Sequence, residues 1–295
     1  MGRHDPGPGR ERALAHALPI VAATKVGTGS TAQSPARGGR RRVARGAPTG
    51  ERRGSLRIEL IVSVHLGHPM SSVGAPAAGN VSAEELIIVF GSVPSLGSGL
   101  KEIAATHGAQ AAYRLQRLLL DLCVEHASVL PVRKWFRYPA GTPAPTLSSD
   151  WSVRPHEPGT VGEQITLAMS EGFERGFERI VLFYADCPSL VPEYLESAFE
   201  SLEDGADLVM GPTPRGTLYL AGARRTAGQF FGTLPWGTFR VFEVAQRHAT
   251  VQGLKVALLP RKPSVQDLED WKAVAAEGWI PPPPAVQGGK GRPEG

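Results

Sequence analysis

Two segments place chemically useful groups directly after apolar runs that have the pattern of buried strands. Leu86-Ile-Ile-Val-Phe90 is followed by Gly91-Ser-Val-Pro-Ser-Leu-Gly-Ser-Gly99, and Arg179-Ile-Val-Leu-Phe-Tyr184 is followed by Ala185-Asp186-Cys187-Pro188. In open α/β sheets, ligands bind beyond the carboxyl ends of the strands. These two segments are therefore the first candidates for a functional site.

Asp186 is the residue with the clearest chemistry. A carboxylate directly after a buried strand can hold Mg²⁺ or Mn²⁺ against a diphosphate. The alternative is that Asp186 is a polar turn or helix-entry residue, because Asp is common just before helices. Cys187 has no Lys, Arg or His close behind it in the sequence to favour a thiolate, so we interpret it as a packed thiol.

The segment from Gly91 to Gly99 is a candidate phosphate loop. Its glycines allow backbone N–H groups to approach an anion at the start of the next helix. The spacing fits neither a Walker phosphate loop nor the dinucleotide-binding fingerprint. A flexible connector is equally consistent with this composition.

The elements around these segments alternate between strand and helix patterns. Leu115, Leu118, Leu119 and Leu122 recur at helical spacing and predict a helix whose apolar stripe covers the sheet. Thr160 and Glu163 have the spacing of a capping box, and a Pro-rich loop is predicted before them. The alternation predicts a three-layer α/β/α Rossmann-like sandwich with a mostly parallel sheet. Further strands are predicted over 132–138, 207–210, 217–221 and 254–259, and further helices from 192, over 238–249 and from 267.

Glycine, proline and charge divide the chain into a body and two ends. Many of the 35 Gly and 26 Pro residues lie before residue 85 or after residue 280. Residues 1–57 hold 12 Lys and Arg against 3 Asp and Glu, which leaves 20 against 25, a net charge of −5, for the remainder. We expect a disordered basic leader over 1–84, a folded domain over 85–275 and a disordered tail over 276–295.

The composition also narrows the classes of partner and compartment. The basic pI belongs to the leader, so a nucleic-acid-binding domain is not expected, although the leader itself can attract polyanions. No run approaches the length of apolar residues that spans a bilayer. Two cysteines, Cys123 and Cys187, are too few for a disulfide framework, which predicts a cytoplasmic protein.

The order of several short motifs resembles a family of small bacterial proteins with the glycosyltransferase A fold. These are the arsenosugar-biosynthesis-type glycosyltransferases, distant kin of the molybdenum-cofactor and phospholactate guanylyltransferases. The resemblance covers Glu85 to Trp271. It is carried by Ile88-Val-Phe-Gly-x-Val-Pro-x₂-Gly97, Gly162-Glu163, Ala185-Asp-Cys-Pro-x-Leu190, Gly211-Pro212, Tyr219-Leu-x-Gly222, Pro235-Trp-x-Thr238 and Glu269-Asp270.

The resemblance implies a domain that binds a nucleoside diphosphate sugar or a nucleotide through a divalent metal. Asp186 would hold Mg²⁺ or Mn²⁺, while Trp236 would either stack on a ring or belong to the core. No catalytic residue is assigned. The implied nucleotide-binding residues are Gly91, Pro94, Gly97, Lys101, Gly162 and Glu163, and the implied substrate-binding residues are Gly216, Tyr219, Trp236 and Thr238.

Three departures from the family pattern fall on charged positions. Leu100-Lys101-Glu102 stands where relatives carry Lys-Thr-Arg, and Arg215-Gly-Thr-Leu-Tyr219 stands where they carry Asp-Gly-Gly-Tyr-Tyr. Ser264-Val-Gln-Asp267 replaces Asp-Val-Asp-Thr, which removes a second metal ligand unless Asp267 substitutes for it. We therefore expect a glycosyltransferase-like protein with a partly degenerate site, or alternatively an inactive homologue that serves as a binding or scaffold module.

Overall fold

The computed structural model describes residues 81–285, which form a seven-stranded sheet with helices on both faces. The strand order is β3-β2-β1-β4-β6-β5-β7, and only the pairings of β6 are antiparallel. This confirms the predicted α/β fold with a mostly parallel sheet.

The strands are β1 (Ser82–Phe90), β2 (Val132–Pro139), β3 (Trp151–His156), β4 (Arg179–Tyr184), β5 (Leu208–Pro212), β6 (Leu218–Arg224) and β7 (Val256–Leu258). The helices are α1 (Lys101–His107), α2 (Ala109–Val129), α3 (Val161–Glu174), α4 (Pro192–Glu203), α5 (Val241–Gln252) and α6 (Leu268–Ala276), with short 3-10 turns at Arg225–Ala227 and Phe230–Thr233.

The central strand β1 divides the core into two layers. Leu86, Ile88 and Phe90 pack in one cluster with residues of α3 and α5. Ile87 and Val89 pack in the other, with residues of α2 and α4. Successive side chains of a strand point to opposite faces of the sheet, so an unbroken apolar run is what a strand covered on both sides requires.

Helix α2 covers the sheet with a different stripe from the predicted one. Cys123 and Ala127 join the sheet cluster. The predicted stripe, represented by Leu115 and Leu119, packs instead against α1 and α6, where Trp271 lies in the same cluster. The stripe therefore marks the contact of α2 with α1 and α6 and not its contact with the sheet.

Strand β3 lies in the segment that was predicted as a Pro-rich loop. It pairs only with β2, and Trp151 is its one buried residue. Pro155 is compatible with this strand because β3 is at the edge of the sheet, where one side of the backbone needs no partner. An edge strand with a single buried side chain has no apolar alternation, so the sequence pattern does not reveal it.

The packed region extends beyond the predicted end at residue 275. Ile280 is only 5% exposed, and the Trp271 indole N–H donates to the carbonyl of Pro281 at 2.8 Å. Ile280 and Pro281 therefore contact the folded region, while the predicted bounds of the domain and of the tail stay predictions. The predicted leader lies outside the described residues up to residue 80, while β1 begins at Ser82. Within the described part of the chain, no helix is long and apolar enough to cross a membrane.

Candidate functional site

Backbone hydrogen bonds hold three segments together at the carboxyl-terminal edge of the sheet. The N–H of Gly91 donates to Arg137 O at 3.0 Å, and that of Ala185 donates to Phe90 O at 2.9 Å. Val265 N–H donates to Asp186 O at 2.8 Å, which joins the turn after β4 to the segment that follows β7. The loop after β1, the turn after β4 and the segment 260–270 are therefore held beside one another.

Asp186 carries a buried carboxylate oxygen with no partner. Its Oδ1 atom has almost no accessible surface and makes no hydrogen bond within residues 81–285. Burial raises the pKa of Asp186 to about 7, a hydrogen bond from Ser264 opposes this rise, and the charge of Asp270 adds to it. The side chain is therefore close to half protonated near neutral pH, and it can accept or donate a hydrogen bond.

A charged network lies next to Asp186, and Arg215 is at its centre. The Arg215 guanidinium contacts Asp267 and reaches Asp270 Oδ2 at 3.0 Å, and it lies 4.6 Å from the ring centroid of Phe239. Asp270 Oδ2 also accepts the N–H of Gln266 at 3.1 Å. The carboxylates of this network are thus already paired with a cation and with backbone donors.

Asp267 has a structural role in this network. Its Oδ1 accepts the N–H of Asp270 at 3.0 Å and so caps the first turn of α6. A capping carboxylate that also holds Arg215 has few lone pairs left for another ligand. The sequence-based expectation that Asp267 replaces a missing metal ligand is therefore not supported by its contacts.

The residues of this edge do not form a multidentate metal site. In residues 81–285, no group of three or more His, Cys, Asp or Glu side chains is arranged to hold a metal ion. Asp267 and Asp270 are engaged by Arg215, and Ser264 offers only a neutral hydroxyl. The unpartnered Oδ1 of Asp186 is the single feature that favours the predicted Mg²⁺ or Mn²⁺, whereas divalent cations of this kind require several oxygen ligands.

The glycine loop before α1 is held by its backbone conformation. Gly97 and Gly99 have φ values of 82° and 65°. Leu100, with a φ of 37°, is the only residue other than glycine with positive φ in the described range. A Cβ atom on Gly99 would lie 1.9 Å from Nε2 of Gln116. Helix α1 has no side-chain cap, and exposed Lys101 at its start makes no ion pair within residues 81–285.

Two of the glycines predicted to contact nucleotide, Gly91 and Gly162, are closely packed in the structure, whereas a Cβ on Gly97 would meet nothing within 4 Å. A Cβ on Gly91 would lie 2.8 Å from the Phe136 ring, and one on Gly162 would lie 2.8 Å from the carbonyl of Gly232 and 3.4 Å from Trp236. Gly162 and Trp236 are thus neighbours, as a shared site requires. Pro94 is half-buried in the loop, with no side-chain group to hydrogen-bond a ligand.

Two predicted site residues are occupied by structural contacts. Tyr219 is 1% exposed, and its hydroxyl donates to Pro260 O at 2.9 Å, so its side chain packs in the core, and the predicted substrate contact stays a prediction. Glu163 accepts the N–H of Thr160 at 2.7 Å in a complete capping box, which lowers the pKa of Glu163. The capping box itself was predicted, and it leaves the Glu163 carboxylate little capacity for a nucleotide.

The remaining predicted substrate residues lie around the turn from β5 to β6 and the segment before α5. Gly216 has a φ of 90°, and a Cβ there would lie 2.2 Å from Phe239 O. The Trp236 indole N–H donates to Phe231 O at 2.7 Å, so one edge of the ring is tied to the core. Thr238 is exposed and donates to Pro235 O at 2.8 Å.

Two residues of this edge were not assigned a role from the sequence. Asp270 is 8% exposed, and Lys262 is 9% exposed with its Nζ 4.8 Å from the ring of Tyr194. The spacing of Asp267 and Asp270 on the first turn of a helix could have indicated a pair of acids on one face. Nothing in the sequence around Lys262 distinguishes it from a surface lysine. Cys187 is buried, and burial raises its pKa to about 12, in agreement with a packed thiol.

Comparisons with known proteins support the fold and give a partial family match. A profile of the family described as "Uncharacterized protein conserved in bacteria (DUF2064)" matches residues 99–238. A structure from Desulfovibrio desulfuricans G20, assigned as a nucleotide-diphospho-sugar transferase, is 21% identical over 65% of this chain and 87% of its own, with a TM-score of 0.59. No curated protein matches the chain with significant similarity.

Two further structures are more distant. A homologue of Mycobacterium tuberculosis Rv0371c from Mycobacterium sp. strain JC1 is 11% identical over 66% of this chain and 96% of its own, with a TM-score of 0.44. Molybdopterin-guanine dinucleotide biosynthesis protein A from Archaeoglobus fulgidus is 13% identical over 66% of this chain and 98% of its own, with a TM-score of 0.39. The comparisons thus define a class, α/β proteins with the fold of the Desulfovibrio structure. The arsenosugar-type assignment stays a prediction.

Proposed function

We propose that the domain of residues 85–275 binds a nucleoside diphosphate sugar or a nucleotide at the carboxyl-terminal edge of its sheet, as a transferase-like protein of the glycosyltransferase A type. The observation that carries the proposal is the convergence there of the glycine loop, the partly exposed Asp186 with its buried Oδ1 atom, and the segment 260–270. This is the edge at which open α/β sheets bind ligands.

Each part of this edge suits a different part of such a ligand. The uncapped N–H groups around Leu100 and Lys101 can face a phosphate. The unpartnered Oδ1 of Asp186 can accept a hydrogen bond from a ribose or sugar hydroxyl. The proposal does not depend on the predicted Mg²⁺ or Mn²⁺, because the residues do not complete a site for either ion.

Calorimetric titration with UDP- and GDP-sugars tests the proposal. We expect wild-type protein to bind one of them, and Asp186→Ala to bind it roughly tenfold or more weakly, because a hydrogen bond to a charged or half-charged group is worth about 1.5 to 3 kcal/mol. Asp204→Asn, an exposed acid at the end of α4, is the matched control and should leave the affinity unchanged. Absence of binding at millimolar ligand, or equal binding by Asp186→Ala, contradicts the proposal.

The second candidate is a binding or scaffold module without turnover. It is favoured by the structural engagement of Glu163, Tyr219 and Arg215, whose polar groups are already paired within the protein. Incubation of the bound sugar nucleotide with the protein separates the two candidates. Release of free nucleoside diphosphate above the rate without protein supports a transferase, whereas binding without release supports the module. A cytoplasmic location and a leader that attracts polyanions remain predictions from the composition.

A further inference from the structure

We propose that Arg215 is a built-in counter-cation of this site, which takes the place of a divalent ion between Asp267 and Asp270 and makes ligand binding independent of metal. The identity of the ligand rests on the proposed function. The role of Arg215 depends only on its contacts with Asp267 and Asp270, so it can be tested separately.

The geometry places one guanidinium where two carboxylates converge. Arg215 Nη1 contacts both Asp267 and Asp270, the latter at 3.0 Å. Backbone contacts join these acids to Asp186: Val265 N–H donates to Asp186 O at 2.8 Å, and the next residue, Gln266, donates its N–H to Asp270 Oδ2 at 3.1 Å. The three acids therefore share one small region, and the cation within it is the side chain of Arg215.

The guanidinium is held in place from a second direction. The carbon of the Arg215 guanidinium lies 4.6 Å from the centroid of the Phe239 ring. The turn that carries it is fixed by Gly216, whose positive φ and contact with Phe239 O exclude a side chain. A guanidinium stacked on an aromatic ring and bonded to two carboxylates is well ordered, and it stays charged at every accessible pH.

Two further cations, Arg261 and Lys262, lie in the segment after β7 but are engaged elsewhere. Arg261 donates to Thr213 O at 3.0 Å, and Lys262 makes no ion pair with the carboxylates in residues 81–285. In residues 81–285, the cation that contacts Asp267 and Asp270 is therefore Arg215, which offsets their charge without an added ion. An anionic diphosphate can therefore approach this edge without a metal to neutralise it.

Mn²⁺ binding, measured by electron paramagnetic resonance of the free ion, tests the inference without any nucleotide. We expect wild-type protein to leave the free Mn²⁺ signal unchanged. Arg215→Ala and Arg215→Gln should each bind Mn²⁺, with affinity raised at least about tenfold over wild type, because Asp267 and Asp270 become free oxygen ligands beside Asp186. Adding Asp270→Asn to Arg215→Gln should remove the new binding.

Arg117→Gln provides the matched control, because Arg117 is bonded to a carboxylate, Asp121, on the exposed side of α2. This variant should bind no Mn²⁺. Circular dichroism establishes that each variant is folded. Arg215→Gln removes the positive charge but keeps a long polar side chain, so it serves as the test where Arg215→Ala does not fold. Wild-type protein that binds Mn²⁺ as tightly as the variants overturns the inference, as does a folded Arg215→Gln that binds none.

A second titration connects the inference to the ligand. The affinity of wild-type protein for its sugar nucleotide should agree within about twofold in EDTA and in Mn²⁺, because no resident ion is removed. A loss of affinity in EDTA overturns metal independence. Absence of any nucleotide binding overturns the proposed function, while the Mn²⁺ measurements still decide the role of Arg215.

Discussion

The glycine loop and the Arg215 network lie on the same edge of the sheet and are built on opposite principles. The loop from Gly91 to Leu100 is mostly exposed and is ordered by backbone angles and by hydrogen bonds between Ser95 and Ser98. The Arg215 network is ordered by charges that neutralise one another over Asp267 and Asp270. One region keeps its polar groups available, whereas the other has paired them within the protein.

This difference separates the two ways in which an α/β edge can receive a phosphorylated ligand. Backbone N–H groups can bind an anion whatever the neighbouring side chains are. Carboxylates bind an anion only through a cation, and in this network the cation is the side chain of Arg215. The loop from Gly91 to Leu100, the backbone half of the edge, therefore retains its binding capacity. The carboxylates of the Arg215 network, the charged half, are already neutralised within the protein. Substitutions can change one half at a time.

The largest effect is expected from breaking the charged half at Asp270. This side chain is 8% exposed and bonds both Arg215 and the N–H of Gln266. Asp270→Ala should lower the free energy of unfolding by roughly 2 to 3 kcal/mol, below the 3 to 5 kcal/mol of a fully buried pair, because Arg215 remains partly exposed. Urea denaturation measures this. Glu269→Gln, one residue earlier and exposed, should change the stability by less than about 0.5 kcal/mol, and an equal loss in both variants would contradict the role of the network.

The next effect concerns Asp186, which borders both halves. Burial raises the pKa of Asp186 in the folded protein to about 7, above the ordinary aspartate value of 3.8. The folded protein therefore binds the proton more tightly than the unfolded chain. This contribution to stability is fully present below about pH 3.8 and is lost as the pH rises to about 7.

Asp186→Asn removes that titration. At about pH 8, the variant should be more stable than wild type by roughly 2 kcal/mol, less than the full shift at about 1.4 kcal/mol per pKa unit implies, because the residue is partly exposed. At about pH 4 the two proteins should differ little. Thermal or urea unfolding over this range measures the difference, with Asp204→Asn as the control. A constant difference at all pH values would show that Asp186 does not titrate as proposed.

Several parts of this edge could be predicted from sequence, and the reasons are local. The bounds of β4, the start of α4 at Pro192 and the Thr160–Glu163 capping box all follow from apolar runs and cap residues that are adjacent in sequence. The glycine loop could be placed because it follows a buried strand directly. These features depend on neighbours within a few residues.

The partners of charged residues could not be predicted in the same way. Arg215 and Asp267 are 52 residues apart, and their contact depends on how β5, β6 and α6 are arranged. Tyr219 could have faced a ligand from its position beside a turn, but the strand places it in the core. Strand β3 lacked a pattern because an edge strand buries little. Tertiary packing decides each of these, and it leaves no periodic signal in the sequence.

The backbone half can be tested at Gly99. Gly99→Ala forces a side chain into a left-handed conformation and places its Cβ 1.9 Å from Nε2 of Gln116. We expect a loss of about 1 to 2 kcal/mol in the free energy of unfolding, from backbone strain and this contact. Gly97→Ala, with positive φ and open space around it, isolates the backbone strain. Combining Gly99→Ala with Gln116→Ala should recover the steric part. If Gly99→Ala is no worse than Gly97→Ala, Gln116 yields freely and the loop is held by its backbone angles alone.

The smallest expected effect comes from relieving the strain at Leu100. This residue has a φ of 37°, precedes α1 and is only half-buried. Leu100→Gly removes a left-handed cost of roughly 1 to 2 kcal/mol, but it also removes apolar contacts of the side chain with the α1–α2–α6 cluster. We expect a net change within about 0.5 kcal/mol, and Leu100→Ala, which keeps the strain and loses the contacts, should be clearly less stable. The difference between these two variants measures the strain itself. A value near zero would mean that the loop reaches its conformation without cost, and that the backbone half is kept open by its exposure rather than by a strained residue.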